Sequence, residues 1–264
     1  LWFVYEDDLP STEQIYNIEP PLVTTIYGAD GRVLQKYHYQ NRILIPYSEL
    51  PPHLVQALIA AEDDDFYKHW GIDRRGFTRA VLRNVVGGFG SQGGSTISQQ
   101  LARILFLNRD VSMTRKIKEA FTALKLEHTY SKQEILEMYL NLYYFGNRSY
   151  GIETASRSYF NKNTQSLSIE EAAVLVGVLN APARYSPINH PERALKRRNY
   201  VLSRMQAVGY IGAELADSLK ALPLELDLSG DPDHDHTRHA SLEAALEEQR
   251  DVVDDDPVPT LGQA

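Results

Sequence analysis

Two glutamates stand where the sequence favours acid–base chemistry. Glu62 follows five apolar residues, with Phe66 and His69 expected on its helical face at i+4 and i+7. Partial desolvation there would raise its pKa toward that of a useful general base. Glu119 comes about one helical turn after Arg115 and Lys116, so it would stay ionised beside cations able to bind a polyanion. Each glutamate also has a purely structural interpretation. The first would be an acidic helix end capped by Gly71, and the second an ordinary helix ion pair.

A glycine-rich segment between the two glutamates is suited to binding an anion. It reads Gly-Gly-Ser-Thr-Ile-Ser-Gln-Gln over residues 93–100. Its glycines allow close approach of the backbone, and Thr96 with Gln99 is a capping-box pattern that opens a helix. Exposed amides at such a helix start suit phosphate, but no lysine stands in the Walker position, so a nucleotide loop is not expected. An ordinary loop-to-helix cap is the alternative.

The elements that position these segments are mostly helical. β-Branched and aromatic residues around a turn signal predict a short hairpin within residues 22–45. From residue 53 to about 210 the apolar residues recur with helical periodicity. Ser131 with Glu134 forms a second capping box, which places the start of one helix.

Three apolar patterns lie beside the candidate site. One is a helical stripe formed by Ile117, Phe121, Leu124 and His128, and Glu119 lies outside this stripe. The others are the segments 85–90 and 101–109, each set beside glycine or arginine. Both segments are interpreted either as core or as a surface lobe that touches lipid.

The charge of the chain is unevenly distributed. The 264 residues include no cysteine and carry a formal net charge of −8. The last 34 residues, 231–264, carry 10 acids and 2 bases, whereas residues 54–210 carry 14 acids and 21 bases and are net +7. The cationic middle suits an anionic substrate at an anionic membrane surface, and no nucleic-acid partner is predicted. The lack of cysteine excludes disulfides and cysteine nucleophiles.

In this order, the motifs resemble the peptidoglycan glycosyltransferase family. This is the glycan-polymerising domain of class A penicillin-binding proteins and of monofunctional glycosyltransferases. The resemblance covers about residues 53–210. It rests on Glu62-Asp63…Phe66…His69…Gly71, GGSTISQQ at 93–100, RKIKE at 115–119, EILEMYLN at 134–141 and RRNYVLSRM at 197–205.

The resemblance implies a fold and a reaction. The fold would be mainly α-helical, with a lysozyme-like lobe, a smaller membrane-associated jaw lobe and a short N-terminal β-hairpin. The substrate would be lipid II, an undecaprenyl-pyrophosphate disaccharide-peptide. Its disaccharide would be added to a growing glycan chain, with inversion at the anomeric carbon and release of undecaprenyl pyrophosphate.

The resemblance also assigns residues. Glu62 would be the general base that deprotonates the 4-hydroxyl of the acceptor. Glu119 would assist departure of the pyrophosphate directly, by positioning cations, or through a divalent cation such as Mg²⁺ or Mn²⁺. No organic cofactor is expected. The substrate-binding positions would be Asp63, Arg79, Ser95, Thr96, Gln99, Gln100, Arg103, Arg115, Lys118, Asn141, Arg198 and Arg204.

Two positions depart from the family pattern. Arg103 stands where the family usually has lysine, so the positive charge is kept but its geometry changes. Arg148 stands where a glycine is common, so the turn there would differ and would add a cation that faces the substrate. Neither departure touches the two glutamates.

The resemblance divides the chain into three parts. Residues 1–52 would be a membrane-proximal segment with the hairpin, residues 53–230 the glycosyltransferase domain, and residues 231–264 an acidic tail or interdomain linker. The expected location is the periplasmic face of the bacterial inner membrane, with a single-pass anchor removed. Because no Ser-x-x-Lys and Lys-Thr-Gly pair occurs, a transpeptidase domain would be C-terminal to this chain. The start without Met and the linker-like tail favour an excised fragment over a monofunctional enzyme.

Two rival functions remain open from the residues. A lysozyme-like fold with two glutamates would also suit a peptidoglycan hydrolase, although a glycosidase has no evident need for the RKIKE cations. A non-catalytic module that binds lipid II or cell wall is the other rival. The two intact glutamates argue against it.

Overall fold

The molecule is built mainly from α-helices. The computed structural model describes residues 9–16, 18, 24–27, 33–37, 41–73, 94–106 and 113–230. The prediction of a mainly helical chain is confirmed, and none of the described helices is long and apolar enough to cross a membrane. The helices are α1 (Thr12–Tyr16), α2 (Pro52–Glu62), α3 (Ile97–Phe106), α4 (Met113–Thr129), α5 (Lys132–Leu142), α6 (Ile152–Phe160), α7 (Ile169–Leu179), α8 (Pro191–Val208) and α9 (Ala213–Ala221).

Strands contribute two small pairs within the described ranges. β1 (Thr24–Tyr27) and β2 (Val33–Tyr37) pair antiparallel in the segment where the sequence predicts a hairpin, while the connecting residues 28–32 lie outside the described part. β3 (Asn41–Arg42) and β4 (Ser149–Tyr150) pair parallel. This second pair joins the segment before α2 to the turn after α5.

The hydrophobic core is formed largely by α2, α7 and α8. Every residue of α7 from Ala172 to Leu179 is buried, because the helix is apolar on all sides and packs against both α2 and α8. The same core includes Ile15, Ile45 and Leu50. A boundary at residue 52 therefore does not separate the N-terminal segment from the core.

Capping explains where the helices that carry the site begin. The Thr96 backbone amide donates to the Gln99 side chain, and the Gln99 amide donates to the Thr96 hydroxyl, so the predicted capping box is present. The box predicted at Ser131 and Glu134 is present as well. Both helix starts are fixed by local side chains.

The end of α2 differs from the sequence expectation. The helix ends at Glu62, and Asp63 turns away with φ −161°. Phe66 and His69 therefore do not share a helical face with Glu62. Gly71 is not a helix cap. It has φ +86° and packs against the backbone of Ala123, where a side chain would clash.

Several sequence predictions lie outside the described residues. They concern the substrate-binding role of Arg79, the close backbone approach at Gly93, the apolar segment 85–90 and the tail 231–264.

Candidate active site

Glu62 lies at the C-terminal end of α2, with 11% of its side chain exposed. One of its oxygens, Oε2, accepts a hydrogen bond of 3.0 Å from Gln100 Nε2 on α3. The Tyr139 hydroxyl on α5 donates in turn to Gln100 Oε1 at 3.0 Å. Burial raises the pKa of Tyr139, so the hydroxyl stays a donor and fixes the orientation of the Gln100 amide. The carboxylate is thus held by a chain of two hydrogen bonds.

The environment of Glu62 favours its protonated form. Burial raises the pKa of Glu62, and this outweighs the Gln100 hydrogen bond and the charges of Arg197 and Arg103, which lower it. The predicted direction of the shift is confirmed. Within the described residues, Glu62 Oε1 accepts no hydrogen bond. This oxygen therefore keeps an unused hydrogen-bond acceptor position.

A residue that the sequence reasoning missed faces this free oxygen. Arg197 on α8 places Nη2 3.8 Å from Glu62 Oε1. Its guanidinium lies over the Tyr200 ring, 4.5 Å from the centroid, and 5.7 Å from that of Tyr185. The Arg-Arg pair at 197–198 signals a cation here, but only the packing of α8 shows which arginine faces Glu62.

Glu119 is set in a contrasting environment on α4. It is 1% exposed, and its two oxygens form ion pairs with Arg115 and Lys116, the latter at 2.6 Å. Lys116 also donates to the Ser95 hydroxyl at 2.9 Å. Lys118 is half-buried one turn after Arg115 on the same helix. The predicted placement of a glutamate among cations is the one observed.

Helix α3 connects the two glutamates. Ser95, one residue before the capping box, is bound to the Glu119 cluster through Lys116, whereas Gln100 and Arg103 further along face Glu62. At 1.5 Å per residue, the helix rises only about 9 Å from Ile97, two residues after Ser95, to Arg103. The two carboxylates therefore flank a single short helix.

Three predicted substrate-binding residues brace this helix. Asp63 accepts hydrogen bonds from His69 Nε2 at 2.9 Å and from the Ile97 amide at 3.0 Å. The Thr96 hydroxyl donates to the Gly71 carbonyl at 2.6 Å, and Gln99 completes the capping box. These contacts tie the start of α3 to the loop that follows Glu62.

Three other predicted substrate-binding residues are used by the fold, and their contacts give the substrate assignment no support. The Asn141 side chain holds the backbone of Ile45, accepting from its amide at 3.0 Å and donating to its carbonyl at 2.8 Å. Arg198 is 1% exposed and donates to three carbonyls at the end of α9, those of Lys220, Leu222 and Pro223. Arg204 donates to Asp64 and to the Ala60 carbonyl.

A divalent cation at Glu119 does not fit this arrangement. Both carboxylate oxygens are in ion pairs with Arg115 and Lys116, whose charges would repel a metal ion. Over the described ranges, no group of three or more acidic, histidine or cysteine side chains could hold one.

The apolar stripe of α4 faces outward from the described residues. Ile117 is 37% exposed, Phe121 50% and Leu124 39%, and His128 is also exposed. The opposite face, which includes Glu119, is buried. The periodicity therefore predicts the stripe correctly but does not show that the polar face turns inward.

The departure at Arg148 has a clear backbone consequence. Asn147 and Arg148 both have positive φ, 44° and 54°, in a tight turn closed by the Ser149 amide on the Gly146 carbonyl at 2.8 Å. A glycine would adopt this conformation without strain. The arginine is exposed in the turn.

Comparisons with known proteins show what this chain is similar to. A family model described as transglycosylase matches residues 30–206. Penicillin-binding protein 1A of Aquifex aeolicus is 43% identical over 217 residues, which are 82% of this chain and 30% of that protein. Penicillin-binding protein 1A of Neisseria flavescens is 44% identical over 218 residues, 83% of this chain and 27% of that protein.

One solved structure matches more loosely. The crystal structure of penicillin-binding protein 1A from Haemophilus influenzae aligns with a TM-score of 0.48 and 26% identity, over 80% of this chain and 22% of that one. The chain spans between a quarter and a third of the length of the two curated relatives. Because the family match spans both glutamates and the cations around them, the chain belongs to the transglycosylase family and is a peptidoglycan glycosyltransferase domain.

Proposed function

We propose that this domain polymerises lipid II into glycan strands. The observation that carries the proposal is the pair of buried glutamates beside one short helix, the first with an unpartnered oxygen and the second enclosed by cations. Two carboxylates whose environments differ in this way suit a base and a charge-stabilising group.

The Glu62 end of the site would accept the proton. The acceptor 4-hydroxyl donates to Glu62 Oε1, its oxygen attacks the anomeric carbon of the donor, and the proton passes to the carboxylate. Attack opposite the leaving group inverts that carbon. The raised pKa makes the ionised Glu62 a stronger base than an exposed carboxylate.

The Glu119 end of the site would receive the leaving group. As the bond from the anomeric carbon to the phosphate oxygen breaks, its electron pair leaves with undecaprenyl pyrophosphate. Arg115, Lys116 and Lys118 would stabilise this charge, and Glu119 would hold the first two in place before substrate binds. A divalent cation at Glu119 would have to displace Arg115 or Lys116, and polymerisation assays with EDTA and with added Mg²⁺ or Mn²⁺ test whether the reaction depends on one.

Helix α4, which carries Glu119 and its cations, would also contact the membrane. The exposed residues Ile117, Phe121 and Leu124 lie on α4 together with its cations, a combination suited to an anionic lipid surface. The proposed location is the periplasmic face of the inner membrane, where lipid II is presented. A lysozyme-like lobe with a membrane-associated jaw is the proposed organisation.

The complete protein would contain more than this domain. The relatives are several times longer than the matched segment, and they are penicillin-binding proteins. A transpeptidase domain C-terminal to the chain is the proposed neighbour.

The proposal is tested by polymerisation of purified lipid II, with chain length followed by gel electrophoresis. Glu62→Gln keeps the side-chain volume and an acceptor for Gln100 but cannot take a proton. We expect it to reduce kcat roughly 10²- to 10⁴-fold while lipid II still binds. Glu192→Gln, an exposed change at the start of α8, serves as the matched control.

Two results would count against the proposal. Polymer formation by Glu62→Gln at the control rate would remove the base assignment. Release of soluble fragments from purified cell wall, without polymer from lipid II, would indicate the hydrolase instead.

A further inference from the structure

Arg197 lies beside Glu62 but has no role in the proton transfer and leaving-group steps proposed for this site. Within the described part of the chain, its Nε is a buried nitrogen without a hydrogen-bond partner, as Glu62 Oε1 is a buried oxygen without one. Nη2 of Arg197 lies 3.8 Å from that oxygen, too far for a good hydrogen bond. A donor group and an acceptor atom thus face the same position, and neither satisfies the other.

The separation of Glu62 Oε1 and Arg197 Nη2 matches the geometry of a bridging hydroxyl group. Hydrogen bonds to a hydroxyl oxygen are about 2.8 Å long, so one oxygen can lie within bonding distance of two atoms 3.8 Å apart. It would donate its proton to Glu62 Oε1 and accept from an Arg197 N–H. The unpartnered Glu62 Oε1 thereby gains a hydrogen bond.

The fold holds the Arg197 guanidinium in place. Tyr200 and Tyr185 each present a ring to it, and the side chain is only 16% exposed. Gly177 on α7 faces its stem, because a Cβ built there would lie 3.1 Å from Arg197 Cγ. Glycine in the interior of a helix costs about 1 kcal/mol relative to alanine, so space for this stem is a physical reason for a glycine here.

We propose that Arg197 is a substrate-binding residue whose guanidinium donates to the acceptor hydroxyl oxygen while Glu62 removes its proton. As the proton moves to Glu62, negative charge grows on that oxygen, and a fixed cation stabilises it. The oxygen then bonds to the anomeric carbon and the pyrophosphate leaves with the electron pair. This inference rests on the proposed polymerase function.

Arg197 would also affect the ionisation of Glu62. The charged or titratable groups around Glu62 are Asp63, Arg103 on α3, Tyr139 and Tyr143 at the end of α5, and Arg197 on α8. Arg197 is one of two cations among them, and its charge lowers the pKa of Glu62. Its loss would therefore move the acidic limb of the activity–pH profile to higher pH.

The experiment compares Arg197→Gln and Arg197→Lys with Arg193→Gln, an exposed arginine one turn earlier on α8. For Arg197→Gln we expect kcat to fall roughly 10²-fold, as when one donor to a developing oxyanion is removed. The acidic limb should shift upward. Arg197→Lys should return the acidic limb to its wild-type pH but recover only part of kcat, because lysine keeps the positive charge without the planar donor group. Binding of undecaprenyl pyrophosphate, followed by fluorescence, should stay unchanged.

Gly177→Ala provides a second test that does not remove the charge. The new methyl group must displace the Arg197 stem by a few tenths of an ångström, while alanine favours the helix. We expect kcat to fall several-fold with an unchanged or higher melting temperature. This variant keeps the proposal testable if Arg197→Gln does not fold.

The outcomes separate this inference from the proposed function. If wild type makes no polymer, the function itself fails. If wild type is active and Arg197→Gln matches Arg193→Gln within twofold, with the same acidic limb, Arg197 does not bind the acceptor.

Discussion

Replacement of Glu62 by glutamine should stabilise the protein at neutral pH while removing its activity. Because folding raises the pKa of Glu62, the folded state keeps the proton over a pH interval in which the unfolded chain has released it. The contribution of the protonated Glu62 carboxyl to folding stability is complete below the pKa of the unfolded carboxyl, near 4.5. It is lost as the pH rises through the raised, folded value. Glutamine has no such dependence.

The contacts of Glu62 give the size of the effect. One oxygen accepts a hydrogen bond and the other accepts none, which for a buried polar atom costs about 1–3 kcal/mol. Arg197 offsets only part of this cost, because its Nη2 lies 3.8 Å from the oxygen, too far for a good hydrogen bond. The glutamine amide must find a partner as well. We therefore expect a net gain of about 1 kcal/mol above pH 7, or about 2–4 °C in melting temperature.

The assay is thermal unfolding followed by circular dichroism from pH 4 to pH 8. The two melting temperatures should converge at the acidic end and diverge toward pH 8, whereas Glu192→Gln should remain parallel to wild type throughout. A Glu62→Gln protein less stable than wild type at pH 8 would refute the reasoning. The carboxylate would then be a stabilising ion-pair partner and not a buried group held ready for a proton.

Three further changes test the elements around the site. Gly71→Ala places a methyl group 2.9 Å from the Ala123 carbonyl oxygen at a φ of +86°, so thermal unfolding should show a loss of about 3 kcal/mol; a loss under 1 kcal/mol would contradict this. Arg198→Met leaves three carbonyls without their donor and should cost about 2–4 kcal/mol in urea unfolding, with kcat/KM per folded molecule unchanged; a selective loss of kcat/KM would restore its substrate role. Phe121→Ser should weaken sedimentation with anionic vesicles several-fold while leaving the melting temperature within about 2 °C, since half of the ring is already exposed; unchanged sedimentation would contradict the membrane role of α4.

Local signals in the sequence were enough to place the helix starts. The capping boxes at Thr96 and Ser131 depend on side chains three residues apart, which the sequence displays directly. The end of α2 was harder to predict, because the backbone at Asp63 is held by contacts from His69 and from the Ile97 amide, 34 residues away. Such long-range hydrogen bonds leave no local pattern.

The orientation of α4 shows a second limit. An apolar stripe usually indicates the buried face of a helix, yet here Phe121 and Leu124 are exposed while Glu119 and Thr122 are buried. The helix tolerates the burial of Glu119 because Arg115 and Lys116 pair with the carboxylate and compensate its charge. Periodicity measures how apolar residues are distributed around a helix, but it cannot show which face has partners able to compensate a buried charge.

The adjacent residues Arg197 and Arg198 show the same limit of sequence-based prediction within the active site. Consecutive residues on an α-helix point about 100° apart, so one arginine can face the active site only if the other faces elsewhere. Arg198 meets the carbonyls at the end of α9, and this directs Arg197 toward Glu62 and the two tyrosine rings. The family motif predicts a cation in this region but favours the buried one. Only the packing of α7, α8 and α9 determines that the structural arginine is Arg198 and that the one facing Glu62 is Arg197.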